Sequence, residues 1–507
     1  MIGAVIKGLI LVFTVSILAA CSDDVQEVNV PSQPKPVAPA PPPEPAKPTN
    51  VIVFFTDDQG YADIGIHNQR NDIRTPNIDS LANDGVLFTN GYVTSPQCSP
   101  SRAALITGRY QQRIGYGENK FGPLSVDTDT LADRFKSLGY TTGMMGKWHL
   151  ELQGNMTEWL SQNLESYFPG DRIDINQVPL ELKMPFMPES RGFDYVFDGY
   201  YKYYWTNMQR NGTEKASGWV EIDNYRIDVI SDAAVGFINS HHEKPFFLHV
   251  AHYGPHVPIE ATQELLDQFP DDMPIRRKYA LATMLGIDNG VGKVIQALKE
   301  HDIFENTLIV FMSDNGAPLD TDRADVPLDS RSSWNGSRND PLRGEKGMLM
   351  EGGIKVPYII HYPRFNASGI VIDEPVLSLD AVATALKLVG GEIDDLDGID
   401  LRPAISGDRE YLNERPMFFR FQNQRAIRQG RWKYLEAGWN DYLFDMYAND
   451  PEANNMIEAF PDIAEQMKNQ YFEWSGQMPR PDDMSRILIP FQMRYDYHLD
   501  PERDPTQ

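Results

Sequence analysis

The chain has 507 residues, and 72 acidic against 46 basic side chains leave a formal charge of −26. At 41% hydrophobic and 23% charged it is long enough to bury at least one large core, and its acidic balance argues against nucleic acid as the main partner, since phosphate binding needs clustered Lys and Arg. Two cysteines, Cys21 and Cys98, exclude a disulfide framework.

The first 20 residues read as an export signal outside the fold. Lys7 precedes an apolar run, Leu9 to Ala20, that is short for a membrane span. The run ends in Leu18-Ala19-Ala20-Cys21, which resembles a bacterial lipoprotein cleavage box and implies that Cys21 becomes the acylated first residue; an ordinary secretory signal beside a chance cysteine is the alternative. Both take the chain out of the cytoplasm. Ser22-Asp23-Asp24 resembles a surface-export tag of some Gram-negative lipoproteins, which implies a lipid anchor in the outer membrane, on its periplasmic face or at the cell surface. Residues 21–48 form the tether. From Pro31 to Pro48 every second residue on average is proline, so the segment should be an extended spacer reaching about 80 Å.

Residues 49–404 read as the catalytic domain. Asn50-Val-Ile-Val-Phe-Phe-Thr56 is a near-continuous apolar run, the pattern of a strand buried on both faces. Pro245 to Ala251, Thr307 to Met312 and Val356 to His361 repeat it. Tyr279 to Leu298, between the second and third runs, and Asp380 to Val389, after the fourth, read as amphipathic helices. The alternation predicts an α/β fold, a large and mostly parallel sheet sandwiched by helices. From residue 405 to 507 a smaller α+β subdomain is expected, with short strands at Met417–Phe421, Arg425–Arg428 and Trp432–Leu435, then a helix from about Pro461 to Met478. Arg494 to Gln507 carries little pattern and reads as a surface wrap.

Ligands of open α/β sheets gather beyond the carboxyl ends of the strands. Here the buried runs finish in Asp57-Asp58, Gly254-Pro255-His256 and Ser313-Asp314-Asn315-Gly316. Three carboxylates and an amide oxygen form an all-oxygen set suited to Ca²⁺ or Mg²⁺.

The most specific motif is Cys98-Ser99-Pro100-Ser101-Arg102, continued by Ala103 to Arg109. With Asp57-Asp58 before it and Gly146-Lys147-Trp148-His149 after it, the chain resembles the type I sulfatases of the alkaline phosphatase superfamily, over most of residues 50–450. The resemblance implies that Cys98 is converted to Cα-formylglycine by a maturation enzyme. The hydrate of that aldehyde offers one hydroxyl to attack sulfur and a second whose deprotonation expels sulfate. It further implies a cation held by Asp57, Asp58, Asp314, Asn315 and residue 98, with Ca²⁺ expected and Mg²⁺ as the alternative. Arg102 and Lys147 would stabilise the hydrate, His149 would serve as base, and His256 and Lys346 would hold sulfate and protonate the leaving alcohol. Residue 98 should sit near a helix N-terminus, where the dipole favours negative charge.

Other residues stay outside the expected site. His241-His242 reads as a solvated helix end, His252 as either a site residue or a sheet-edge residue, and Glu351 as a loop-fixing residue. The run Tyr200 to Trp205 reads as core packing, with sugar stacking as the alternative. Glu151 and Lys355 depart from the family's usual glycine and arginine. The expected substrate is a sulfated polysaccharide or its oligosaccharides. A phosphonate monoester or phosphodiester hydrolase and a non-catalytic glycan-binding lipoprotein remain the alternatives, and residues 155–220 and 317–340 are the loops expected to set specificity.

Overall fold

The run Asn50–Thr56 forms a strand in which all seven residues are buried. Its side chains alternate between two cores, Val51, Val53 and Phe55 entering one and Ile52 and Phe54 the other. A strand between two apolar layers has no solvent face, which is why its sequence shows no polar alternation. In this computed structural model the described residues are 48–117, 122–164, 173–319, 334–479 and 488–500. The export signal at 1–20, Cys21 and the tether up to residue 47 lie outside them, as do residues 320–333 and 501–507.

Among the described residues the strands are β1 (Asn50–Thr56), β2 (Val86–Phe88), β3 (Gly91–Tyr92), β4 (Thr141–Gly146), β5 (Tyr195–Tyr200), β6 (Tyr203–Met208), β7 (Glu214–Glu221), β8 (Phe246–Ala251), β9 (Thr307–Ser313), β10 (Tyr358–His361), β11 (Ile370–Ile372), β12 (Val376–Leu377), β13 (Met417–Phe421), β14 (Gln424–Gln429), β15 (Trp432–Ala437) and β16 (Asn440–Asp445). Ten of them form one sheet in the order β11-β2-β10-β9-β1-β8-β4-β5-β6-β7, and β3 pairs with β12. The central five, β9-β1-β8-β4-β5, are parallel, with Val51 opposite Leu308 on one side and Phe247 on the other. Their carboxyl ends therefore lie along one edge. The flanks are mixed: β10 runs antiparallel to β9, and the two residues between β5 and β6 permit only an antiparallel hairpin.

One face of the sheet is covered by helices Cys98–Thr107, Leu131–Ser137 and Ser378–Leu388, the other by Pro76–Asn83, Arg226–His241 and Ile275–Glu300. The long helix exceeds the expected Tyr279–Leu298 by about a turn at its start, where the cationic run Arg276-Arg277-Lys278 is buried. Arg277 is satisfied there by Asp63 at 2.7 Å and Asp72 at 2.9 Å.

The tail forms a four-stranded antiparallel sheet, β13-β14-β15-β16, with helix Pro461–Gly476 against it. β16 escaped the sequence reading because its polar start, Asn440-Asp441, resembles a turn. The sheet shares a core with the preceding chain, in which Tyr92, Met348, Leu349, Met350 and Ile354 meet Phe419, Ile427, Leu435 and Leu443. Arg494 to Gln507 is not a patternless wrap throughout: Leu488–Leu499 is a helix. Gln492, Tyr495 and His498 are its buried positions, and polar types at this three-residue spacing concealed the helical period.

Candidate functional site

Four strand ends deliver the site. β1 runs into Asp57-Asp58, β4 into Lys147-Trp148-His149, β8 into the segment reaching His256, and β9 into Asp314-Asn315. Asp58 has φ 61° and His149 φ 62°, left-handed conformations that non-glycine residues adopt only where the surroundings hold them. Gly146 takes φ +107°, and a Cβ there would stand 2.0 Å from the Ala251 carbonyl oxygen. Only glycine lets β4 and β8 stay together where the chain turns towards Lys147.

Cys98 opens the fully buried helix Cys98–Thr107. Pro100 falls in its first turn, where a missing N–H costs nothing, and Gly108 at φ +67° ends it. The thiol therefore sits at the positive end of the helix, as expected from the sequence.

The sequence-predicted residues converge around this thiol. Sγ of Cys98 lies 3.1 Å from Lys346 Nζ and 3.7 Å from Asp58 Oδ1. Lys346 Nζ donates to Asp58 Oδ1 at 2.5 Å, and Lys147 Nζ to Asp57 Oδ2 at 2.6 Å. Nε2 of His256 stands 3.7 Å from Asp58 Oδ2. Ligand atoms of Asp57, Asp58, Cys98 and His256 all fall within 4.8 Å of one another. Asp314 faces the other way: its Oδ1 accepts from the Asp58 backbone N–H, and its Oδ2 from Arg102 Nε at 3.0 Å and NH2 at 2.7 Å. Asn315 donates to Asp58 Oδ1 at 2.8 Å. Two oxygens, Asp57 Oδ1 and Asn315 Oδ1, are buried without a hydrogen-bond partner. Orphaned anionic and amide oxygens beside a carboxylate cluster fit a hard divalent cation.

Electrostatics sort the groups. Burial and the charge of Asp314 push the Cys98 thiol well up, against the pull of Lys147 and Lys346. An unmodified thiol here stays protonated at neutral pH and is a poor nucleophile. Burial alone would raise Asp57, but Lys147, His256 and Arg102 overcome it and hold that carboxyl well down. Asp314 goes to about 7, raised by burial and by Asp57. Burial, reinforced by Lys147 and Arg102, keeps His149 neutral, and its Nδ1 is buried without a partner. Three acids, Asp57, Asp58 and Asp314, stand against three bases, Arg102, Lys147 and Lys346. The charges of these six groups balance, although the chain as a whole is at −26.

The loop carrying Lys346 is clamped from the tail. Glu351 accepts from Tyr92 Oη at 2.6 Å and from Lys433 Nζ at 2.9 Å, and Lys433 also reaches Glu452 at 2.8 Å. Gln424 holds the carbonyl of Gly347 and the N–H of Leu349. Glu351 thus fixes the loop, as its sequence position suggested. Lys433, Glu452 and Gln424 escaped because nothing local distinguishes them. The run Tyr200 to Trp205 divides: Tyr204 and Trp205, on opposite faces of β6, enter the two cores, while Tyr200, Tyr201 and Tyr203 at the hairpin end are about half exposed. His241 ends its helix half-buried against Tyr195 and Phe237, and His242 stacks on His301. His252 is fully buried, with neither ring nitrogen hydrogen-bonded, and is not part of the ligand cluster. Lys355 lies over the Tyr61 ring, outside the site.

A family model described as Sulfatase matches residues 49–391. Arylsulfatase J of Mus musculus is 30% identical over 439 residues, covering 78% of this chain and 65% of that protein, so the chain spans just under two thirds of its length. An N-acetylgalactosamine-6-O-sulfatase of Bacteroides thetaiotaomicron is 27% identical, covering 89% of this chain and 96% of that protein. Among solved structures, Ps i-CgsB in complex with k-i-k-neocarrahexaose superposes with a TM-score of 0.70 at 29% identity, covering 91% of this chain and 99% of that one.

Proposed function

Because the chain belongs to the sulfatase family, we propose that it hydrolyses sulfate esters on a sulfated polysaccharide or its oligosaccharides. The observation that carries this reading is the Cys98 thiol held between Lys346 Nζ at 3.1 Å and Asp58 Oδ1 at 3.7 Å, beside orphaned oxygens of Asp57 and Asn315. A relative named N-acetylgalactosamine-6-O-sulfatase and a neighbour solved with k-i-k-neocarrahexaose support the substrate class.

In the proposed mature enzyme, residue 98 is a Cα-formylglycine, which supplies paired hydroxyls, and a divalent cation, Ca²⁺ or Mg²⁺, supplies positive charge beside them. Asp57, Asp58, Asp314 and Asn315 would hold that cation. The chain's own groups do the rest. Arg102 fixes Asp314 through two hydrogen bonds and ties it to the Lys147 carbonyl by a third at 3.1 Å. Lys346, whose ammonium is kept charged by Asp58 against the cost of burial, binds sulfate and holds a proton at Nζ for the leaving alcohol oxygen. His256 is oriented by its Nδ1–H, which donates to the Val257 carbonyl and leaves Nε2 facing the cluster. Neutral His149 accepts a proton at Nδ1 during sulfate release.

We further propose export and lipid anchoring through Cys21. A tether suits an enzyme working on a polymer, and replacing Cys21 with Ser should release the protein from the membrane fraction. Among the described residues no helix is long and apolar enough to cross a membrane. The test of the activity is sulfate release from defined sulfated oligosaccharides set beside phosphodiester hydrolysis, before and after chelation. Release that is lost on chelation and restored by Ca²⁺ or Mg²⁺ is expected; a large phosphodiester preference would replace the sulfate-ester reading.

A further inference from the structure

A cleft of about 760 Å³ is lined by none of the cluster groups described above. Glu151 and Asp198 share it with Tyr200, Tyr203, Trp219 and Tyr253. Its walls are bonded to the segments that carry the site. Asp198 pairs in register with Gly146, and its Oδ1 accepts from the backbone N–H of Trp148, between Lys147 and His149, at 3.3 Å. On the other wall, Tyr200 donates to the Val257 carbonyl at 3.0 Å, the same oxygen that orients His256.

The lining has a defined chemistry. Asp198 is only 8% exposed, and Oε2 of Glu151 is buried without a partner. Among the described residues neither carboxyl forms an ion pair, and Lys183, which also lines the cleft, donates to the Ile175 carbonyl. Burial raises both carboxyls, and the charge of Glu151 raises Asp198 further. Around them, Tyr200 at 46%, Tyr203 at 51% and Trp219 at 56% exposure present rings that the core does not consume. Trp219 is braced edge-on by Trp205 and Tyr200 by Tyr253. Aromatic faces accept the C–H face of a sugar, and the carboxyls accept its hydroxyls. An anionic group would instead be desolvated beside the charge of Glu151, the same charge that raises Asp198, and like charge disfavours it.

We propose that this cleft is a glycan subsite selecting an uncharged sugar ring next to the sulfate ester, with Glu151 and Asp198 as its specificity-determining residues. The inference rests on the sulfate-ester reading and narrows it, favouring neutral-backbone chains such as sulfated galactans over chains that alternate with uronic acids. Glu151, at the position where the family carries glycine, is then a functional departure, although the sequence reading kept it away from the chemistry.

The test uses the full chain carrying Cys98→Ala, titrated calorimetrically with a sulfated galactan hexasaccharide whose neighbouring rings are uncharged and with a chondroitin sulfate hexasaccharide. The galactan should bind at least about tenfold more tightly. Trp219→Ala, at an exposed position, should weaken it by about tenfold, the loss of one aromatic anchor. Glu151→Gln with Asp198→Asn should shrink the preference by tightening the uronate chain. Equal or reversed affinities, or variants that leave the ratio unchanged, would overturn the subsite. Sulfate release by the unsubstituted protein is measured in parallel. Release with no binding preference removes the subsite alone, and a binding preference with no release from either saccharide removes the sulfate-ester reading alone.

Discussion

Replacing Lys433 with Met tests how the tail supports the site. Lys433 is fully buried, with its ammonium 2.9 Å from Glu351 and 2.8 Å from Glu452. Met fills similar volume but leaves two buried carboxylates facing each other, with Arg428, 3.7 Å from Glu351, and the more distant Lys355 as remaining cations. Breaking a buried pair from one side costs about 3–5 kcal/mol, because the surviving charge is uncompensated. At about 2.1 cal/mol/K of unfolding entropy per residue, a fold of this length loses about 1 °C of Tm per kcal/mol, so a fall of about 3–5 °C is expected by calorimetry. Adding Glu452→Gln removes one orphaned charge and should restore more than half of the loss. Since Glu351 anchors the loop bearing Lys346, kcat on a sulfate ester should fall as well. The acid side gives a further readout. Burial would raise Glu351, but Lys433 and Arg428 override it and hold the carboxyl at about 2, against an ordinary value of 4.5. Its contribution is full above about 4.5 and lost as pH falls towards 2. Glu452, raised to about 7 by burial, contributes with the opposite sign: its stabilisation is present below 4.5 and lost as pH rises through 7. Acid unfolding therefore reports on Glu351 and should begin at higher pH in the Lys433→Met protein. A stability change below about 1 kcal/mol with an unmoved acid limb would refute the clamp.

Two further substitutions probe the strand ends. Gly146→Ala places a Cβ at φ +107° against the Ala251 carbonyl and should cost at least about 1–3 kcal/mol, with kcat falling because Lys147 and His149 are displaced; a neutral melt would show that β4 and β8 tolerate separation there. Arg102→Lys keeps the charge but not the fork that makes two bonds to Asp314 and one to the Lys147 carbonyl, and kcat should drop at least about tenfold; wild-type turnover would mean that charge alone suffices.

What was legible in the sequence was local. Asn50–Thr56 could be read because an uninterrupted apolar run has few alternatives, and Cys98 to Arg102 because its functional groups are contiguous. Cys98 and Lys346 were placed at the site by the family resemblance, whereas the meeting of Asp57 and Asp58 with Asp314 and Asn315 followed from strand ends sharing one edge. The partnership of Glu151 with Asp198 did not, since it depends on the parallel register of β4 and β5, which leaves no mark in either segment. Lys433 was equally silent: a lysine in a short strand reads as solvent-facing until the sheet is seen packed on Glu351 and Glu452. The helix Leu488–Leu499 was missed because its buried positions include Gln492 and His498, polar residues that packing overrides.

The most direct measurement is mass spectrometry of the tryptic peptide 75–102 from protein matured in its native host, paired with sulfate release from the same preparation. The account predicts a residue 98 in which one sulfur and two hydrogens have been exchanged for one oxygen, with release scaling with the fraction so converted. An intact Cys98 thiol in protein that releases sulfate at full rate would contradict it.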